Sequence, residues 1–127
     1  MEKVTSKSSL AIVQAYYRNW TSKNYDKAAN LLDENIQFEM PINNYENKSV
    51  FMQAVKFTGD NATNLHLLTE LGNDTEAILI YDFNFAPIGN MRIAEHFKTK
   101  NCKIVFIRHI HDTFQLRIAG FSKDQEL

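Results

Sequence analysis

Cys102 is the single cysteine among 127 residues. One cysteine excludes an internal disulfide and any multi-cysteine zinc site. An excess of one charge is also missing: 14 basic and 15 acidic side chains leave a net charge of −1. With no basic patch and no acidic tail, nucleic acid or another polyanion is not expected as the partner. No apolar run reaches the length that spans a bilayer, and the opening stretch Met1 to Lys7 is polar. A cytoplasmic protein without a membrane partner is therefore expected. The Asn-x-Ser/Thr triplets at Asn19, Asn47, Asn61 and Asn73 are accordingly read as chance.

Apolar material is plentiful. Hydrophobic residues make up 44% of the chain, and nine phenylalanines, five tyrosines and one tryptophan can build large apolar walls. The length fits one domain, residues 1–127, with a core of about 8–113. Leu10, Val13, Tyr17 and Trp20 recur at helical spacing, with Ser8 or Ser9 as a cap. A second helix carries Tyr25, Ala28, Ala29 and Leu32 on one face, and Ile36, Phe38 and Met40 then alternate as a strand that Pro41 ends. A third helix presents Val50, Phe51, Ala54, Val55 and Phe57, and Thr58 to Asn64 reads as a polar linker.

From Leu65 the period is two. Strands are expected over 65–71, 77–85, 91–99 and 103–113. Helices followed by an antiparallel meander define an α+β fold. The turn Thr99-Lys100-Asn101-Cys102 reads as a type I turn with a left-handed bulge residue at Cys102. That turn pairs Phe97 with Val105, Glu95 with Ile107 and Ile93 with His109. One face then holds Ile93, Glu95, Phe97, Val105, Ile107, His109 and His111. A two-residue turn would shift the pairing by one and break up this set.

The order of these elements resembles the nuclear transport factor 2-like superfamily, and its SnoaL-like members in particular. The resemblance is carried by Ala94-Glu95-His96-Phe97 and Lys103-Ile104-Val105 around the last turn. His109-Ile110-His111-Asp112 at the close and Ile36 to Pro41 after the helical hairpin add to it. It implies a cone-shaped fold: a curved antiparallel sheet with three helices from the N-terminal half packed on its concave face. It also implies a cavity inside the cone for a small apolar or aromatic ligand, and no cofactor. The superfamily holds both ketosteroid isomerases and non-catalytic binders. Tyr16 falls where the isomerases place an oxyanion-hole tyrosine, and Glu95 where they place a protonated acid. Met40 falls where they place the aspartate base, and a thioether cannot act as that base. His109 lies near the catalytic aspartate of the SnoaL-type cyclases.

The candidate catalytic residues are therefore Glu95, His109, Asp82 and Tyr16. Glu95 either faces the cavity among apolar neighbours or points to solvent and pairs with Arg108. Asp82 interrupts Ile80-Tyr81-Asp82-Phe83 and reads equally as a cavity residue or a surface one. The expected ligand contacts are Tyr17, Trp20, Phe38, Met40, Tyr45, Phe51 and Val55, with Ile80, Ile93, Phe97, Ile107 and His111 from the sheet. His109 and His111 share a strand face, but one strand supplies only two ligands, so no metal is expected. Two classes of function follow: an isomerase, dehydratase or cyclase moving protons on a small apolar carbonyl or alcohol, or a non-catalytic binder or scaffold. Ile104, Phe106 and Ile110 are expected on the convex face, where they would form a homodimer interface.

Overall fold

The computed structural model describes residues 8–42, 44–86 and 88–120. The Ser8 side chain accepts the Ala11 amide at 3.2 Å and starts α1 (Ser9–Thr21). One face of α1 buries Ile12, Val13, Tyr16, Tyr17 and Trp20. Each such side chain contributes roughly 1.5–3 kcal/mol by leaving water, so this stripe, rather than intrinsic helix propensity, anchors α1 to the sheet.

Helix α2 (Tyr25–Ala29) is a short turn of helix closed by the Asn30 amide on the Asp26 carbonyl. Leu32, expected on this helix, instead opens strand β1 (Leu32–Glu39). The Leu31 carbonyl accepts the Ile104 amide at 2.8 Å, and sheet pairing captures the chain before another helical turn can form. Helix α3 (Lys48–Asn61) starts at Asn47, whose side chain accepts the Val50 amide at 2.9 Å. It runs through Thr58 to Asn61, which the sequence presents as linker. Gly59 makes this possible: a Cβ there would lie 2.3 Å from the Tyr25 hydroxyl, so glycine lets α2 and α3 touch.

The sheet continues with β2 (Ala62–Gly72), β3 (Glu76–Phe85), β4 (Gly89–Lys100) and β5 (Lys103–Ile110), in spatial order β1-β5-β4-β3-β2. Four of the strands form an antiparallel meander, and β1 lies parallel to β5 at one edge. A short helix, α4 (Phe114–Ile118), follows β5. The fold is α+β, with helices α1 to α3 over the concave side of a curved, mainly antiparallel sheet.

The turn between β4 and β5 differs from the expected one. Asn101 and Cys102 both take positive φ, 54° and 63°, and make a two-residue turn that pairs Lys100 with Lys103 and Thr99 with Ile104. Two positive-φ central residues match the twist of a hairpin. Left alone, this register would set Arg108 opposite Glu95. The register shifts once more, between Lys98 and Thr99, so that Lys98 pairs with Phe106. Val105 is the extra residue of that bulge. Beyond it Phe97 pairs with Ile107 and Glu95 with His109. The two shifts cancel in parity, so the inward set survives with each partner two residues further along, and Val105 leaves it.

The bulge also corrects the convex face. Ile104 points inward and is fully buried. Phe106 is half-buried beneath Lys98 and Arg108, whose charges lie 5.3 and 5.0 Å from its ring. Ile110 is 59% exposed and Ile78 40%. Around them runs a polar chain: Arg108 clasps Glu39 and donates to His96 Nδ1 at 3.0 Å, while His96 Nε2 meets Glu76 at 2.7 Å.

Candidate functional site

Alternation along the strands sends Tyr81 of β3, Ile93 and Glu95 of β4 and His109 of β5 into the cone. Glu95 is 2% exposed. Its carboxyl group has replaced water with two partners. The Tyr81 hydroxyl donates to Oε1 at 3.0 Å, and His109 Nε2 lies 2.7 Å from Oε2. The second distance falls in the range of charge-assisted bonds. Burial without such partners would cost several kcal/mol, so the three side chains form one unit. Among the described residues, the bond to Glu95 is the single hydrogen bond of the His109 ring, which leaves Nδ1 for another molecule.

Tyr16 reaches the same wall from α1. Its ring stands edge-on to Phe97 with centroids 5.9 Å apart, and it is 1% exposed. Burial pushes its phenol well above the ordinary value near 10, and the neighbouring Glu95 pushes further. The same two causes, in the same order, act on Tyr81. Both phenols therefore keep their protons as donors at neutral pH. Among the described residues the Tyr16 hydroxyl has no hydrogen-bond partner. A buried, unpaired donor on a cavity wall is costly to the protein alone and available to a ligand. His111 sits further along β5. Burial lowers its pKa below 6.5 and the neighbouring His109 adds to this, against an opposing bond to the Asp112 carbonyl. On balance these causes hold it toward its neutral form.

These groups border a cavity of about 300 Å³. Of the ligand contacts expected from sequence, Trp20, Met40, Tyr45, Phe51, Val55 and Ile93 line it, and so does His111. Four others lie behind the wall. Phe97 and Ile107 are fully buried beneath it. Phe38 stacks on the far side of Phe51 at 4.6 Å, and Tyr17 packs against Tyr81 at 5.2 Å. These four position the lining rather than form it.

Two residues are misplaced by the sequence reading. Asp82 points out of the convex face, where Arg92 holds it in a two-pronged ion pair at 2.7 and 2.8 Å. Ile80 shares that face. Parity is the reason: Leu79, Tyr81, Phe83 and Phe85 occupy the inward positions of β3, so even-numbered neighbours must point away. The same alternation was the signal for Tyr81, Phe83 and Phe85, which line the cavity and were missed. Leu116 also lines it, from α4, beyond the expected core. Among the described residues no cluster of three or more His, Cys, Asp or Glu side chains is arranged to hold a metal ion. No helix among them is long and apolar enough to cross a membrane.

No family model matches the sequence, and no curated protein matches it. Solved structures do match. A protein from Kribbella flavida superposes with a TM-score of 0.82 at 24% identity, over 90% of this chain and 94% of that one. A nuclear transport factor 2-like protein from Cytophaga hutchinsonii gives 0.72 at 15% identity, over 90% and 99% of the two chains. An LEH-like epoxide hydrolase from M. tuberculosis gives 0.69 at 9% identity, over 87% and 86%. Identities this low establish architecture and not activity. On that architecture, a helix-filled cone closed by a curved five-stranded sheet, the chain has the nuclear transport factor 2-like fold.

Proposed function

We propose that the cone binds a small, mostly apolar carbonyl or alcohol compound, and that His109, held by Glu95, exchanges a proton with it. The observation that carries this reading is the 2.7 Å bond between His109 Nε2 and a buried carboxylate in the cavity wall. A carboxylate on one ring nitrogen fixes the tautomer and the ring plane, and it stabilises the imidazolium that forms when the other nitrogen accepts a proton. In the forward step Nδ1 takes a proton from the carbon next to a ligand carbonyl. The C–H electron pair moves into an enolate, and the oxygen gains charge. Tyr16, a protonated donor without a hydrogen-bond partner among the described residues, would supply the hydrogen bond to that oxygen. Return of the proton to a different carbon is isomerisation; transfer to a departing hydroxyl is dehydration. A histidine and a carboxylate suffice for this transfer, and no cofactor enters it.

A second reading has its own observation. Met40 lines the cavity where the resemblance expects a carboxylate base, which favours a binder that orients a ligand through Glu95, His109 and Tyr16 without turnover. Deuterium exchange separates the two. With 2-tetralone in deuterated buffer, the wild-type protein should accelerate loss of the α-proton NMR signals, and His109→Gln should lose at least about tenfold of that rate. Equal rates for wild type, His109→Gln and buffer, with binding intact, would leave the non-catalytic reading.

A further inference from the structure

We infer that Glu95 makes the cavity a charge filter, admitting uncharged compounds of one or two rings and rejecting carboxylates of the same shape. This rests on reading the cone as a ligand cavity, and it holds whether or not chemistry follows binding.

The size limit comes from volume. The cavity measures about 300 Å³, at the lower end of small-molecule sites and roughly twice the engineered cavity of about 150 Å³ that accepts benzene. Two fused rings fill that space, and a four-ring skeleton exceeds it.

The charge limit comes from the inventory of the wall. Eight of the described lining residues are aromatic: Tyr16, Trp20, Tyr45, Phe51 and Phe57, with Tyr81, Phe83 and Phe85. Their ring faces carry negative quadrupole density, which repels an anion. No Lys or Arg occurs among the described lining residues. The imidazole that could offset an acid, His109, has already committed Nε2 to Glu95. The other imidazole, His111, is held toward its neutral form by burial. A ligand carboxylate would therefore lie on a mostly apolar wall beside the Glu95 carboxyl group, which is buried, and no Lys or Arg among the described lining residues meets it. Like charges so placed repel strongly because little solvent screens them. A ketone or alcohol meets no such penalty and can accept from Tyr16.

Isothermal titration of the whole chain with three probes tests this: 2-tetralone, 1,2,3,4-tetrahydro-2-naphthoate and progesterone. At pH 7.5 the two-ring ketone should bind at least about tenfold more tightly than the two-ring acid, and the four-ring ketone should bind more weakly than 2-tetralone. In Glu95→Gln, checked for folding by circular dichroism, the ketone-to-acid ratio should fall toward unity. The wild-type ratio stands alone if that variant does not fold. Equal wild-type affinity for ketone and acid overturns the filter, and a ratio unchanged in folded Glu95→Gln removes Glu95 as its cause. Tighter binding of progesterone, or no binding of 2-tetralone, overturns the size limit. Loss of proton exchange with the binding order intact would remove only the catalytic reading.

Discussion

Removing one oxygen atom tests the central unit. Tyr81→Phe deletes the hydroxyl that donates to Glu95 Oε1 at 3.0 Å and leaves the ring packed against Tyr17 and Trp20. Little volume is lost, so no large cavity cost enters. What is lost is a hydrogen bond to a buried carboxyl group whose other oxygen is bound at a charge-assisted distance. Such bonds contribute about 1.5–3 kcal/mol. Tyr81→Phe should therefore destabilise the fold by about 2 kcal/mol, a drop of about 7 °C in Tm for a chain of this length. Urea melts at pH 7 should show a lower midpoint with an unchanged slope. Repeating the change in a Glu95→Met background supplies the control, since the acceptor is then absent and the loss should shrink below about 0.5 kcal/mol. An equal loss in both backgrounds would show that the hydroxyl does not act through Glu95, and the three-residue unit would be wrong.

His111 gives the chain a pH dependence with a defined sign. Its folded pKa lies below the ordinary 6.5, so as pH falls the unfolded chain takes up the proton first and stability is lost from about pH 6.5 downward. His111→Gln should flatten Tm against pH between 6.5 and 5; an unchanged profile would contradict the burial argument. Gly59→Ala should displace Tyr25, because the new Cβ meets its hydroxyl at 2.3 Å. The Tyr25 phenol, raised to about 12 by burial and by its bond to Asp60, should then titrate closer to 10 in carbon-13 NMR. A value still near 12 would show that the helices absorb the methyl group instead. Dimerisation through the convex face is expected to involve Ile78 and Ile110. Ile110→Glu should yield monomers by sedimentation, and a monomeric parent at micromolar concentration would end that expectation.

Period-two alternation made the inward set of β4 readable, because Ile93, Glu95 and Phe97 alternate with polar or small residues. The same rule applied to β3 would have chosen Tyr81 over Asp82. The eye is drawn to a carboxylate in an apolar run, yet Leu79 and Phe83 fix the parity, and Arg92 gives the outward acid its partner across the sheet. The reach of α3 was hidden by Thr58-Gly59-Asp60, a string of poor helix formers. It stays helical because Asp60 bonds both Tyr25 and Lys56. The pairing of β1 with β5 had no local signal at all, since its partners lie some seventy residues apart, as in Leu32 and Ile104. The bulge at Val105 was equally silent: it reflects competition between a turn that wants two residues and a core that wants Ile107 and His109 inside.

That compensation makes the site a matter of counting. Deleting Val105 would remove the bulge and still leave Glu95 across from His109, because the two-residue turn then feeds a regular ladder. Inserting one residue between Phe106 and Arg108 would bring Arg108 into the cone and send His109 to solvent, without altering a single functional side chain. The stretch from Asn101 to Val105 can thus absorb a change in length, and the stretch from Phe106 to His109 cannot. A sensor peptide or a fusion belongs at the hairpin tip, and the three residues leading up to His109 act as a ruler that sets which side chain faces the cavity.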